Sequence, residues 1–157
     1  MSRAAEPAKR HAARLAAVQA LYQMELTENN AENVAQEFSD HRFGRDEVDE
    51  DFFFDLVRGV PKHQIEIDRS VARCLSANWK LERIDSILRA ILRAATCELI
   101  ARSDVPAKVV IDEYVEIAHA FFNGEEPNFV NAVLDKLAHK KRAAEFGETP
   151  PDDELQF

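Results

Sequence analysis

Lys9, Arg10, His11 and Arg14 gather near the amino end, with Arg3 ahead of them and Glu6 the one acid within residues 3–14. Long cations on one side of a helix, with a loose arm before them, can follow a phosphate backbone by neutralising its charge. The positive end of a helix mildly disfavours cations, so something must retain them there, and a solvated basic face stays open as the other reading. A second constellation is aromatic: Phe121, Phe122 and Phe129 crowd one corner. Part of that surface packs inside. A ring left accessible would stack on an unpaired base, an interaction of about 1–3 kcal/mol per base. Glu125 and Asn128 beside the rings carry groups that accept or donate hydrogen bonds in the plane of a base edge. Cations for phosphates plus rings for splayed bases are what single-stranded RNA requires. Whether the two groups meet in space is not readable from their positions along the chain.

Other chemistry is thin. Glu116-x-x-His119 puts a carboxylate and an imidazole on one helix face, but di-iron bundles need two such motifs and two further glutamates. No second one is present, so a solvated pair is the expectation, with no metal, no cofactor and no catalytic residue. The acids of residues 46–51 lack the glycine and ligand spacing of a calcium loop and read as a helix start. Four glycines leave no phosphate loop, dinucleotide fingerprint or nucleophile elbow. Cys74 and Cys97 form no CxxC pair and read as buried thiols in a reducing compartment. A net charge of -9 argues against a general nucleic-acid binder. The charge is segregated, however, which leaves room for a local basic site on an anionic protein.

These residues must be positioned by helices. Asp104–Leu137 reads as two amphipathic helices around a turn at Gly124, with Pro106 and Pro127 at their starts. Val110, Ile111, Val115, Ala118, Phe121 and Phe122 recur at helical spacing on the first; Phe129, Val130, Val133, Leu134 and Leu137 do so on the second. Leu81–Arg102 is the strongest periodic element: Ile84, Ile87, Leu88, Ile91, Leu92, Ala95, Leu99 and Ile100 form an apolar face, and Arg83, Asp85, Arg89, Arg93 and Glu98 are expected mostly on the polar side. It should be central. Ahead of it lie a helix from Ala8 to about Leu26, a short one over Ala31–Ser39, and one capped by Asp49 or Asp51 that runs to Val60. Pro61 kinks that helix or starts the next, which continues to about Ala77. Trp79 falls in a connecting segment. Lys140, Lys141 and Arg142 suit the negative end of the last helix.

No segment alternates as a strand does. The expectation is an all-α fold of about seven helices in a single domain over residues 1–147. Two small bundles, residues 8–77 and 78–145, would pack together, leaving 148–157 as a disordered acidic tail. Asp152, Asp153 and Glu154 could fold back over the basic helix start, or simply keep the end soluble. No apolar run reaches the length of a membrane span, and no secretory signal is evident, so a cytoplasmic protein is expected.

AVQALY (Ala17–Tyr22), SDVPAKVVIDE (Ser103–Glu113) and FVNAVLDKLA (Phe129–Ala138) resemble the NusB family of transcription antitermination factors, over a stretch from about Lys9 to Lys141. The resemblance implies two helical bundles and no catalytic activity. It implies binding to boxA-type single-stranded RNA jointly with ribosomal protein NusE, in an RNA polymerase antitermination complex that serves ribosomal RNA operons. It carries the family's arginine-rich motif onto Lys9, Arg10, His11 and Arg14, with His11 and Ala12 where the family often has Arg. The RNA-contacting corner falls on Phe121, Glu125 and Phe129, and the NusE-facing positions on Tyr22 and Glu98, the latter on the outside of the central helix. A protein-interaction adaptor with negligible RNA affinity of its own is the alternative, and a homodimer that buries the aromatic corner is left open. Charge reversal at Arg10 and Arg14 together is expected to weaken RNA binding, measured by anisotropy, with an unchanged far-UV circular dichroism spectrum.

Overall fold

The computed structural model describes residues 5–44, 47–76 and 79–149. Among the described residues the chain is all-α. It has α1 (Ala5–Thr27), α2 (Ala31–His41), α3 (Glu50–Lys62), α4 (Gln64–Cys74), α5 (Ser86–Ala101), α6 (Ala107–Phe121) and α7 (Glu126–Lys141), with short 3₁₀ turns at Leu81–Arg83 and Ala143–Phe146. Arg3, Ala77 and the tail acids Asp152, Asp153 and Glu154 lie outside the described residues.

Local chemistry sets the boundaries. α1 stops where Glu28 adopts a left-handed φ of 55°. The Asn30 side chain then accepts from the Asn33 N–H to begin α2. Asp49, not Asp51, caps α3 by accepting from the Phe52 N–H. Asp85 does the same for α5, accepting from the N–H groups of Ile87 and Leu88. Each such cap stabilises by about 1 kcal/mol. Pro61 sits in the last turn of α3, and α4 begins after His63, so the proline ends one helix and does not start the next.

α5 is the axis. It packs against α1, α3, α4, α6 and α7, and every residue from Leu88 to Leu99 except Arg93 is buried. The expected polar side of this helix fails for Arg89 and Glu98, which are inside, while Arg83 and Asp85, just ahead of α5, stay exposed and Arg93 is half-buried. With neighbours around most of the helix, its polar groups find partners. Arg89 pairs with Glu25 of α1 and donates to the carbonyls of Leu81 and Ile84. Arg93 forms a two-bond pair with Asp68 of α4. α1 meets this axis with short side chains, Ala13, Ala16, Ala17 and Ala20, all buried; small residues bring helix axes close. α2 and α3 close over α1, while α6 and α7 pair with each other and with α5. α4 lies chiefly on α5 and α7, so α5 serves both halves of the molecule.

The carboxyl end of α5 is held from afar. The buried Arg142 donates to the carbonyls of Leu99 (2.7 Å), Arg102 (2.8 Å) and Val105 (2.9 Å). These include groups that a helix end leaves without intrahelical partners. Arg142 was expected to serve the end of its own helix; tertiary packing turns it onto α5 instead. Its guanidinium also pairs with Glu145, which accepts from the Ala107 N–H at the start of α6. That N–H, and then Arg142, hold the Glu145 carboxyl below its ordinary range. The α3–α5 crossing is close: a Cβ added at Gly59 would stand 2.8 Å from Cys97 Sγ. Burial pushes that thiol up to about 12.

Arg142→Ala should lower stability by about 2–4 kcal/mol, because several charge-assisted hydrogen bonds go and buried carbonyls are left unpaired. Gly59→Ala should cost about 1–3 kcal/mol through overpacking. Urea denaturation read by circular dichroism measures both.

Candidate nucleic-acid interface

α1 and α6 lie side by side and run the same way. Near their starts, His11 Nδ1 is 2.5 Å from Glu113 Oε2, and Arg10 is 4.0 Å from Asp104, just ahead of α6. Toward their ends, Phe121 lines an open groove of about 420 Å³ with Val18, Tyr22 and Leu26 of α1, Ile87 of α5 and Arg42 beyond α2. Glu113 and Phe121 are eight positions apart, so the basic start and the first ring stand on the order of 12 Å apart along one seam.

The basic cluster is retained by acids of α5 and α6 and of the segments just ahead of α3 and α6. Arg14 is 2% exposed. Its Nε and Nη2 donate to Glu98 at 2.9 and 2.7 Å, and its Nη1 is 3.3 Å from Glu113. Burial opposes the charge on Arg14, but hydrogen bonds to Glu98 and the charges around it outweigh that, and the guanidinium pKa is raised. The fully buried Tyr114 hydroxyl donates to Glu98 at 2.9 Å. Burial and then the Glu98 charge push the Tyr114 phenol well up. Arg10 is 3.6 Å from Asp49. Arg10, Arg14 and Arg102 each approach the Phe52 ring at 4.8–4.9 Å from its centroid, within cation–π range. Hydrogen bonds from Arg102 pull the Asp104 carboxyl down to about 2. Lys9 contributes its carbonyl to the Asp49 N–H.

The aromatic corner divides. Phe121 faces the groove, whereas Phe122 is extended, half-buried and packed on the core. Phe129 stands 5.5 Å from Trp79, ring centre to ring centre. Asn128 Nδ2 donates to Glu125 at 2.9 Å, both exposed on the turn. Trp79 reaches α7 only through tertiary packing, and its being the single tryptophan of the chain is the one signal the sequence carries. Glu116 and His119 are both exposed, and Glu116 approaches a different group. His11, Glu113 and Glu116 could offer three ligand atoms within 4.8 Å of one another, although Arg14 already occupies Glu113.

A family model described as the NusB family matches residues 11–139. The chain belongs to the NusB family. Transcription antitermination protein NusB of Maricaulis maris is 51% identical over 144 residues, 87% of this chain and 90% of that one. The protein of that name from Caulobacter vibrioides is 51% identical, over 85% of this chain and 94% of its own. A solved T. maritima NusB superposes with a TM-score of 0.74 at 30% identity, covering 94% of this chain and 97% of that one. A chain from a structure of antitermination factors NusB and NusE in complex with dsRNA superposes at 0.69, covering 87% of this chain and 97% of that one. Its 24% identity makes that a likeness of fold. No helix among the described residues is long and apolar enough to cross a membrane.

Within this NusB-family chain, two site residues inferred from the sequence have structural work. Arg14 cannot reach an RNA phosphate, and Glu98, 0% exposed, is not on the outside of the central helix. They bind each other. Charge reversal at Arg14 would set a second carboxylate against Glu98, so the double variant is expected to lose structure and its circular dichroism signal to change. Arg10 keeps 37% of its side chain exposed, and Tyr22 is half-buried at the groove.

Glu98→Ala should destabilise by about 3–5 kcal/mol, since it strands a buried guanidinium; thermal unfolding checks this. Tyr114 supplies a pH signature. Its raised folded pKa gives stability that is complete below the unfolded value of about 10 and is lost as pH rises beyond it. Tyr114→Phe should flatten that alkaline loss in urea midpoints taken from pH 9 to 11.

Proposed function

We propose that this NusB-family chain is a non-enzymatic, cytoplasmic antitermination factor that binds boxA-type single-stranded RNA together with NusE. It would act within the RNA polymerase antitermination complex to support transcription of ribosomal RNA operons. The observation that carries the reading is the α1–α6 seam, which sets the partly exposed Arg10 and the Phe121 ring along one side of the molecule. Lys9 and Arg10, with His11 beside them, position phosphates, while Phe121, Glu125, Asn128 and Phe129 read or stack on bases. The fold shared with a NusB chain solved with NusE and RNA is in keeping with this.

Tyr22 and Phe121 line the same groove. With NusE on the Tyr22 side and RNA on the Phe121 side, the two ligands would touch, and by linkage each would raise the affinity of the other. One observation favours a second reading, an adaptor with little RNA affinity alone: Arg10 and His11 each already face an acid, Asp49 and Glu113. RNA must displace those partners, and a second protein would compensate the cost.

Anisotropy of a labelled boxA RNA, titrated with and without NusE across a salt series, separates the two. Affinity should fall with salt, and Arg10→Ala should reduce the slope of log K against log salt by about 1. An unaltered slope would remove Arg10 from the interface. Binding only with NusE present would select the adaptor reading.

A further inference from the structure

Trp79 is the only tryptophan of the chain. It lies between α4 and the Leu81–Arg83 turn, and its backbone N–H donates to the Ser76 carbonyl at 3.0 Å. Its side chain is 53% exposed, although a tryptophan is a large apolar body that folding ordinarily covers for most of its area. One side of the indole is already used: Phe129, in the first turn of α7, tilts against it at 44° with ring centres 5.5 Å apart.

The surroundings of this pair are polar and specific. Phe129 follows directly on Asn128 and lies one helical turn from Glu125, whose carboxylate holds the Asn128 amide at the exposed α6–α7 turn. Lys80 and Arg83, both exposed, follow Trp79 along the chain. A flat, half-exposed aromatic ring, an amide–carboxylate pair that can address a base edge, and two exposed cations that follow it along the chain match one ligand: an unpaired nucleobase with its adjoining phosphate. A protein partner would bury the exposed indole as an anchor and would call for further apolar side chains beside it to form the core of the interface. The neighbours named here are charged or amide side chains.

We propose that Trp79, supported from behind by Phe129, is a second base-stacking platform. It would extend the RNA path from the Phe121 end of the α1–α6 seam around the α6–α7 turn to the side where α4 meets α7. This rests on the RNA-binding reading above and adds a residue to it. Phe129, already part of the RNA-contacting corner, also fixes the indole plane, while Trp79 adds the new contact.

A lone tryptophan makes the test direct. Titrating the wild-type protein with a single-stranded boxA RNA should quench indole emission with the same midpoint that anisotropy reports. Trp79→Ala should weaken RNA binding roughly 5- to 150-fold, the range of one stacked base, with an unchanged circular dichroism spectrum. Trp79→Phe should recover most of the loss. If affinity without NusE is too low to titrate, the same two variants are compared by anisotropy with NusE present. RNA binding with unquenched emission, or an Ala variant that binds RNA like the wild type, overturns the platform and leaves the proposed function standing. Loss of NusE binding in Trp79→Ala with RNA affinity intact overturns it in favour of a protein contact. Absence of RNA binding with and without NusE overturns both.

Discussion

A buried ion pair at the centre of the molecule governs how its surface can be used. Arg14 of α1 and Glu98 of α5 are both inside, joined by two good hydrogen bonds and completed by the Tyr114 hydroxyl from α6. Removing two charges from water is expensive, and only close geometry with every remaining donor and acceptor satisfied offsets it. Three helices must therefore hold one relative position for the pair to exist. Hydrophobic contacts between alanine-lined faces would tolerate sliding; this pair does not. It sets the register of α1 against α5 and α6, and with it the seam along which Arg10 and Phe121 are displayed.

That constraint also explains the cations at the start of α1. A helix dipole disfavours them there, yet Asp49, Asp104, Glu98 and Glu113 converge on them from other elements. The Phe52 ring adds a face that three guanidiniums approach. Part of what reads as a nucleic-acid motif is thus a structural clamp. The remaining exposed positive charge is modest, in keeping with a chain of net charge -9. The RNA interface proposed above would depend less on counterion release than a basic arm would, and more on stacking and on a second protein. The groove shared by Tyr22 and Phe121 is where such help would be felt.

The two ends of α5 show the same economy of means. Arg89 serves the carbonyls just ahead of the helix and Arg142 those at its close. Both arginines are buried among backbone oxygens, of which those of Leu81 and Arg102 also accept from a backbone N–H. The central helix is thereby tied at each end by a side chain whose charge is also met by a glutamate, Glu25 or Glu145.

Helix content, the position of α5 at the centre, and the family itself were legible from the sequence. Each depends on local information: the 3.6-residue recurrence of apolar side chains, a capping residue such as Asp49, and contiguous motifs. The pairing of charges was not legible, because it joins residues far apart in the chain: Arg14 with Glu98, Arg142 with the end of α5, Phe129 with Trp79. Periodicity assigns a residue to a face but cannot say whether another helix covers that face, so Glu98 read as outward and Arg14 as available. Composition and spacing alone determined that this is an all-α protein with cations at one end and rings at one corner. Which of those groups meet solvent was decided only when five helices closed around α5, since burial and partner choice are properties of the packed whole.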